Sequence, residues 1–145
     1  MQINSTRFGK VEVFDTDIVE FPFGLIGMEE CQRWVLLADA ENSALGWLQS
    51  IDRADLALAV VSPRRFVGNY RARVSRRELH GLQIQSADQA QVLVVVGKDE
   101  HGLTVNLKAP LVINLQTRRG RQIVTLDDYS MRYPLATTVP MRRSA

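Results

Sequence analysis

The chain has 145 residues, 46% hydrophobic and 23% charged, the mix of an ordinary globular domain large enough to bury its own core. Its one cysteine, Cys31, excludes an intrachain disulfide and suits a reducing compartment. The opening MQINSTRFGK has no signal-peptide core, and apolar runs such as Val92 to Val96 are far too short to span a bilayer. The chain therefore reads as soluble and cytoplasmic; separately, it is expected to be monomeric when alone.

Net charge is only +2, but residues 1–55 hold ten of the 16 acidic residues and four of the 18 basic ones. Such a chain makes a two-faced surface if the halves stay apart, or an even one if strands from both halves interleave.

The dominant pattern is short apolar runs rich in β-branched and aromatic residues, punctuated by turn residues. Phe8 to Phe14 alternates as a half-buried strand, with Gly9 expected at a bulge or bend. Ile18 to Phe21 is a second short run, ended by Pro22. A helical turn is expected between Gly27 and Gln32. Trp34 to Ala38 is continuously apolar, as in a central strand. Leu45 to Ile51 and Leu56 to Ser62 follow, parted by the turn residues Asp52 to Asp55.

Ser75-Arg76-Arg77-Glu78 has the S-x-x-E form of a capping box, and Gly81 stands where a helix this short would stop. One short helix is expected near residues 75–82. Beyond it, Val92 to Lys98 and Leu103 to Leu107 read as a hairpin with a four-residue connection, Asp99 to Gly102. Leu111 to Leu115 and Gln122 to Leu126 follow as two more strands, joined by a polar turn from Gln116 to Arg121. Strands and turns at this spacing predict an all-β fold, barrel or sandwich, over a single domain of residues 1–135. Residues 136–145, with Pro140 and the terminal MRRSA, are expected to form a loosely held tail.

Catalytic vocabulary is missing. His80 and His101 have no second ligand nearby in sequence, Cys31 has no partner cysteine, and no phosphate-binding glycine loop occurs. No cofactor or metal is expected, and the chain does not read as an enzyme. Three features can bind something. Phe21, Phe23, Leu25 and Ile26 form an apolar loop flanked by Glu20, Glu29 and Glu30. It suits an aromatic-anchored interface with a charged rim, or else it plugs the end of a barrel. Asn106 and Asn114 lie inside strand-like runs, where an amide either bonds within the fold around Pro110 or faces a ligand chain. Arg64 to Arg77 carries six arginines and no acid, with Phe66 and Tyr70 among them. That stretch is a solvated, aggregation-resistant edge or an RNA-binding strip; the aromatic spacing matches no RNA-binding signature.

Several phrases, in order, resemble the FliW family of flagellar assembly factors. They are Thr6-Arg7-Phe8-Gly9, the stretch IVEFPFGLIGME from Ile18 to Glu29, Trp34-Val35-Leu36-Leu37, Trp47-Leu48-Gln49-Ser50, LTVNLKAPLVIN from Leu103 to Asn114, and Arg119-Gly120-Arg121-Gln122-Ile123-Val124. The resemblance implies a mainly antiparallel β-barrel-like fold with a short helix. It also implies two partners, flagellin and the dimeric translational repressor CsrA, which compete for the protein. On that reading nucleic acid is not bound directly. The arginines of 64–77 depart from a more acidic family pattern. They point CsrA, itself a basic RNA-binding protein, toward the acidic first third of the chain instead.

Overall fold

The computed structural model of the chain describes residues 1–135; the expected tail, 136–145, lies outside them. Strand β1 (Gln2–Ser5) and strand β2 (Gly9–Glu12) form a hairpin. They are followed by β3 (Ile18–Glu20), β4 (Arg33–Ala38), β5 (Leu45–Ser50), β6 (Ala57–Val61), the helix α1 (Arg76–Gly81), β7 (Ala90–Asp99), β8 (Gly102–Val105), β9 (Leu111–Asn114), β10 (Arg119–Gln122) and β11 (Tyr133–Pro134). Seven strands close a barrel in the order β7-β6-β5-β4-β3-β10-β9, with β9 returning to β7. All its joints are antiparallel except one, where Glu20 of β3 pairs in parallel with Arg119 of β10. Closure removes the open sheet edges that would invite aggregation. The fold is thus mainly β and barrel-like with one short helix, as the sequence reading expects.

Strand β7 spans ten residues and serves two partners along one edge. Ala90 to Leu93 pair with β9, and Val96 to Asp99 pair with β8. Between them the chain makes an excursion, Asn106 to Pro110. Pro110 has no N–H to give to the ladder. The Asn106 carboxamide oxygen accepts from the amides of Lys108 (3.1 Å) and Ala109 (3.0 Å), replacing strand partners with a side chain. This excursion is what the middle of LTVNLKAPLVIN builds.

The barrel interior holds Trp34, Phe21, Leu25, Leu48, Leu111 and Ile113, all fully or almost fully buried. A second cluster forms around Tyr70, Val94, Val105 and Leu107, under the segment after β6. A third, with Leu82, Ile84, Val112 and Ile123, seats the helical segment on the barrel wall. The β1–β2 hairpin is anchored by Ile3 and Val13 against Val35. Buried Gln49 ties that hairpin down. Its side-chain oxygen accepts from the Ser5 hydroxyl at 2.7 Å, and its NH2 faces the carbonyls of Ser50, Arg53, Ala54 and Leu56 at 3.0–3.3 Å. A buried amide satisfied on both ends is the arrangement a low-dielectric interior requires.

Helix α1 begins where the S-x-x-E pattern places it: the Ser75 hydroxyl accepts from the Glu78 amide at 3.2 Å. Of the bulge or bend expected at Gly9, the structure has the bend: Gly9 closes the β1–β2 turn opposite Ser5, with φ +76°. Four other local expectations change. Strand β1 went unread, because its QINS is mostly polar and only Ile3 and Ser5 face inward. Residues 27–32 form tight turns around a Leu25–Met28 bridge and no helix. The β7–β8 connection is two residues, since Asp99 pairs directly with Gly102 and the Asp99 carboxylate accepts from the His101 amide at 2.8 Å. The last barrel strand starts at Arg119, three residues before the apolar run, because Asn114 compresses the preceding turn. Its side-chain oxygen accepts from the amides of Gln116 (2.8 Å) and Thr117 (3.1 Å), and Arg118 turns the chain with φ +58°. Past β10, Ile123 and Thr125 still bond to the carbonyls of Pro110 and Lys108, so the run QIVTL flanks the excursion in an irregular ladder.

At the parallel joint, Gly120 leaves room for the Phe21 ring. A Cβ on Gly120 would come within 2.7 Å of that ring and 3.1 Å of Ile113. Gly120→Ala is expected to cost about 1–3 kcal/mol through overpacking, read as a lower urea midpoint with an unchanged slope. Tyr70 gives a pH-dependent test. Its hydroxyl donates to the Leu107 carbonyl at 2.8 Å. Burial, with Tyr129 and Asp127 nearby, raises its pKa above the ordinary 10.0. The neutral phenol therefore contributes stability that is fully present below pH 10.0 and lost as pH climbs toward the raised folded value. Tyr70→Phe is expected to lower stability near neutrality by roughly 1–3 kcal/mol and to flatten the alkaline fall, measured by urea titration at about pH 7 and about pH 11.

Candidate partner-binding surface

The loop between β3 and β4 is built by alternating burial. Phe21 and Leu25 point into the barrel at 0% and 1% exposure, while Phe23 and Ile26 stand out at 67% and 57%. Its path is held by backbone bonds: Phe21 N–H to Gln32 O (2.7 Å), Gly24 N–H to Phe21 O (2.8 Å) and Met28 N–H to Leu25 O (2.8 Å). Gly24 is required twice over. Its φ is +69°, and a Cβ there would lie 2.4 Å from the Glu29 backbone. The loop is pinned from outside by Gln122, whose side-chain oxygen accepts from Ile26 N–H at 2.8 Å. The Gln122 amide nitrogen in turn donates to Ala109 O at 3.0 Å. One side chain thus joins the aromatic loop to the KAP excursion.

Beside this junction is a cleft of about 550 Å³, walled by Ile26, Met28, Thr104, Asn106, Gln122 and Met131. Met131 is 65% exposed at its rim. The Arg121 guanidinium lies 4.6 Å from the Phe23 ring centroid, a cation–π contact that holds the exposed ring in place. The surface offers apolar anchors in a partly polar rim, the anatomy of a protein-binding patch.

The residues read from sequence divide accordingly. Leu25, Ile26 and Asn106 line the cleft, and Phe23 stands on the same loop. Phe21 and Leu25 present almost no exposed surface, since both pack in the barrel core, where Leu25 also borders the cleft. The plug and the exposed residues are alternate faces of one loop. Asn106 serves the backbone through its oxygen, as described. Asn114 is buried and fully used, its NH2 donating to Leu82 O at 2.8 Å and its oxygen capping the next turn. It is a structural residue, away from the cleft. Glu20 lies at the parallel joint, 3.6 Å from Arg119. Glu29 accepts from Gly27 N–H at 3.1 Å, and Glu30 is 4.0 Å from Arg53. Gln122, Arg121 and Met131 were missed; the signal for Gln122 was a polar residue leading an otherwise apolar run.

The acidic first third forms no uniform field. Asp52 pairs with Arg33, Asp55 with Arg53, and Glu12 with the N-terminal ammonium. Asp39 accepts from the Trp47 indole N–H at 3.0 Å, and that bond, joined by the Glu41 amide, lowers its pKa. In the arginine stretch, Tyr70 is 2% exposed and Phe66 packs on the same cluster. Tyr70 offers no free face for a base to stack on, and Phe66 is partly buried. Among the described residues no group of three or more His, Cys, Asp or Glu is placed to hold a metal ion. No helix among them is long and apolar enough to cross a membrane.

A seven-stranded closed barrel carrying an aromatic-tipped loop beside a cleft places the chain among small β-barrel proteins. The FliW protein family model matches residues 2–135, and the chain belongs to the FliW family. Among its relatives, the flagellar assembly factor FliW of Azoarcus sp. (strain BH72) is 41% identical over 132 residues, covering 86% of this chain and 90% of that one. That of Natranaerobius thermophilus is 35% identical over 139 residues, covering 93% and 92%. A crystal structure of the flagellar assembly factor FliW superposes with a TM-score of 0.83 at 29% identity, covering 94% of this chain and 97% of that one.

The two phenylalanines of the loop make the division testable. Phe21→Ala is expected to cost about 3–5 kcal/mol, whereas Phe23→Asp changes stability by under about 0.5 kcal/mol. Urea denaturation of both variants measures the contrast.

Proposed function

We propose that the chain is a cytoplasmic flagellar assembly factor, a non-enzymatic protein that binds flagellin before export and binds the CsrA dimer, relieving CsrA's repression of flagellin mRNA. The observation that carries the reading is family membership over residues 2–135, with relatives named as flagellar assembly factors at near full length. The exposed Phe23 and Ile26 beside the cleft supply apolar anchors suited to a protein partner. Mutual exclusion of two ligands on one small barrel couples export to translation through the pool of free protein.

Isothermal titration of the purified chain with flagellin and with CsrA tests the proposal. Binding to both is expected, with each lowering the apparent affinity for the other. Phe23→Asp is expected to weaken at least one partner by roughly tenfold or more, over 1.4 kcal/mol, without loss of fold. Failure of the wild-type chain to bind either protein would sink the reading.

A further inference from the structure

A groove of about 500 Å³ runs between the helical segment and the barrel wall, and it shares no lining residue with the cleft above. Val92 and Val112 form its floor, Val74, Leu79 and Ile84 one wall, and Leu126 another. Leu126 is 64% exposed, an apolar side chain left in water. Arg64 and Arg73 line the groove, and they belong to the stretch of six arginines without an acid from Arg64 to Arg77. Arg73 is matched by Asp127 at 2.7 Å. Among the described residues Arg64, Arg65, Arg71, Arg76 and Arg77 have no carboxylate partner, so the flank keeps a positive surplus. Glu78 and Asp88 accept from the hydroxyls of Ser75 and Ser86 and keep their charge, so with Asp127 they offset three of the six arginines and leave a smaller positive surplus.

We infer that this groove docks an acidic amphipathic helix of a protein partner, its apolar stripe on Leu126, Leu79 and Val92 and its carboxylates against the arginine flank. Four observations select this occupant. Apolar floor and cationic rim together ask for an apolar stripe bordered by acids. Two stretches of backbone at the groove are already paired: Leu126 N–H donates to Arg73 O at 2.8 Å, and β7 is paired on both edges by β6 and β9. An added strand would find no ladder there, so the partner binds through side chains, as a helix does. The chain's own residues 136–145 carry Arg142 and Arg143 and no acid, so their charge repels the rim instead of matching it. RNA lacks the apolar stripe, and the groove's lining contains no aromatic platform for its bases. The inference is independent of the two partners proposed above.

Fluorescence anisotropy with labelled synthetic peptides of about eighteen residues, some five helical turns, tests it on the full chain. The probes are a Leu/Glu amphipathic helix, its Leu/Lys counterpart and a single-stranded RNA of similar length. The acidic peptide is expected to bind, and the basic peptide to bind at least about tenfold more weakly. Leu126→Glu should weaken the acidic peptide by about tenfold (1.4 kcal/mol). Arg64→Glu with Arg76→Glu should shift preference toward the basic peptide. Melting curves check the fold, and Arg64→Gln with Arg76→Gln replaces the reversal pair if that pair unfolds, with weaker acidic-peptide binding expected. The inference is overturned if the acidic peptide does not bind, if both peptides bind alike, if Leu126→Glu has no effect, or if RNA binds in preference to the acidic peptide.

Discussion

Everything in this barrel depends on Phe21 filling the space that Gly120 leaves. The joint between β3 and β10 is parallel and consists of one residue pair, Glu20 with Arg119. A ladder so short contributes few hydrogen bonds, and without it the sheet would remain open at two edges. The Phe21 ring supplies the missing contact area by lying where Gly120 has no side chain. Closing the barrel at this point also aims the following loop. With Phe21 and Leu25 committed to the interior, Phe23 and Ile26 have no direction left but outward. The exposed anchors are therefore a geometric consequence of core packing.

A second constraint is the excursion between β8 and β9. It lets one edge of β7 serve two strands, and it places Ala109 O where Gln122 can reach it. Gln122 then holds the loop through Ile26. Polar side chains carry this part of the architecture: Asn106 and Asn114 each replace ladder bonds at a turn, and Gln49 does the same for the N-terminal hairpin. Each sits at low exposure with its carboxamide oxygen accepting a bond, so loss of any one leaves several groups unpaired.

Charge was the least transferable reading. Acids crowd the first 55 residues, yet Arg33 and Arg53 of the same segment pair with Asp52 and Asp55, and folding brings Arg119 from the second half to Glu20. The arginine stretch kept its surplus because it forms a wrap outside the barrel, with its aromatic side chains turned inward. Such opposite outcomes follow from which elements become neighbours, and that is a property of topology.

By itself the sequence determined the strand-rich class, the capped helix at Ser75 and the family, because period-two alternation, capping chemistry and ordered motifs are local and need no knowledge of distant residues. It also marked the loop from Phe21 to Ile26 as either plug or interface. Only the tertiary structure divided its residues between barrel and water, Phe21 and Leu25 inside and Phe23 and Ile26 outside. It likewise decided the closure of β9 on β7, the single parallel joint, the start of β10 at Arg119 and the meeting of Gln122 with Ile26 across 96 positions. These are long-range contacts, set by how strands pack around a shared core, and no local pattern encodes which distant partner fills a given space.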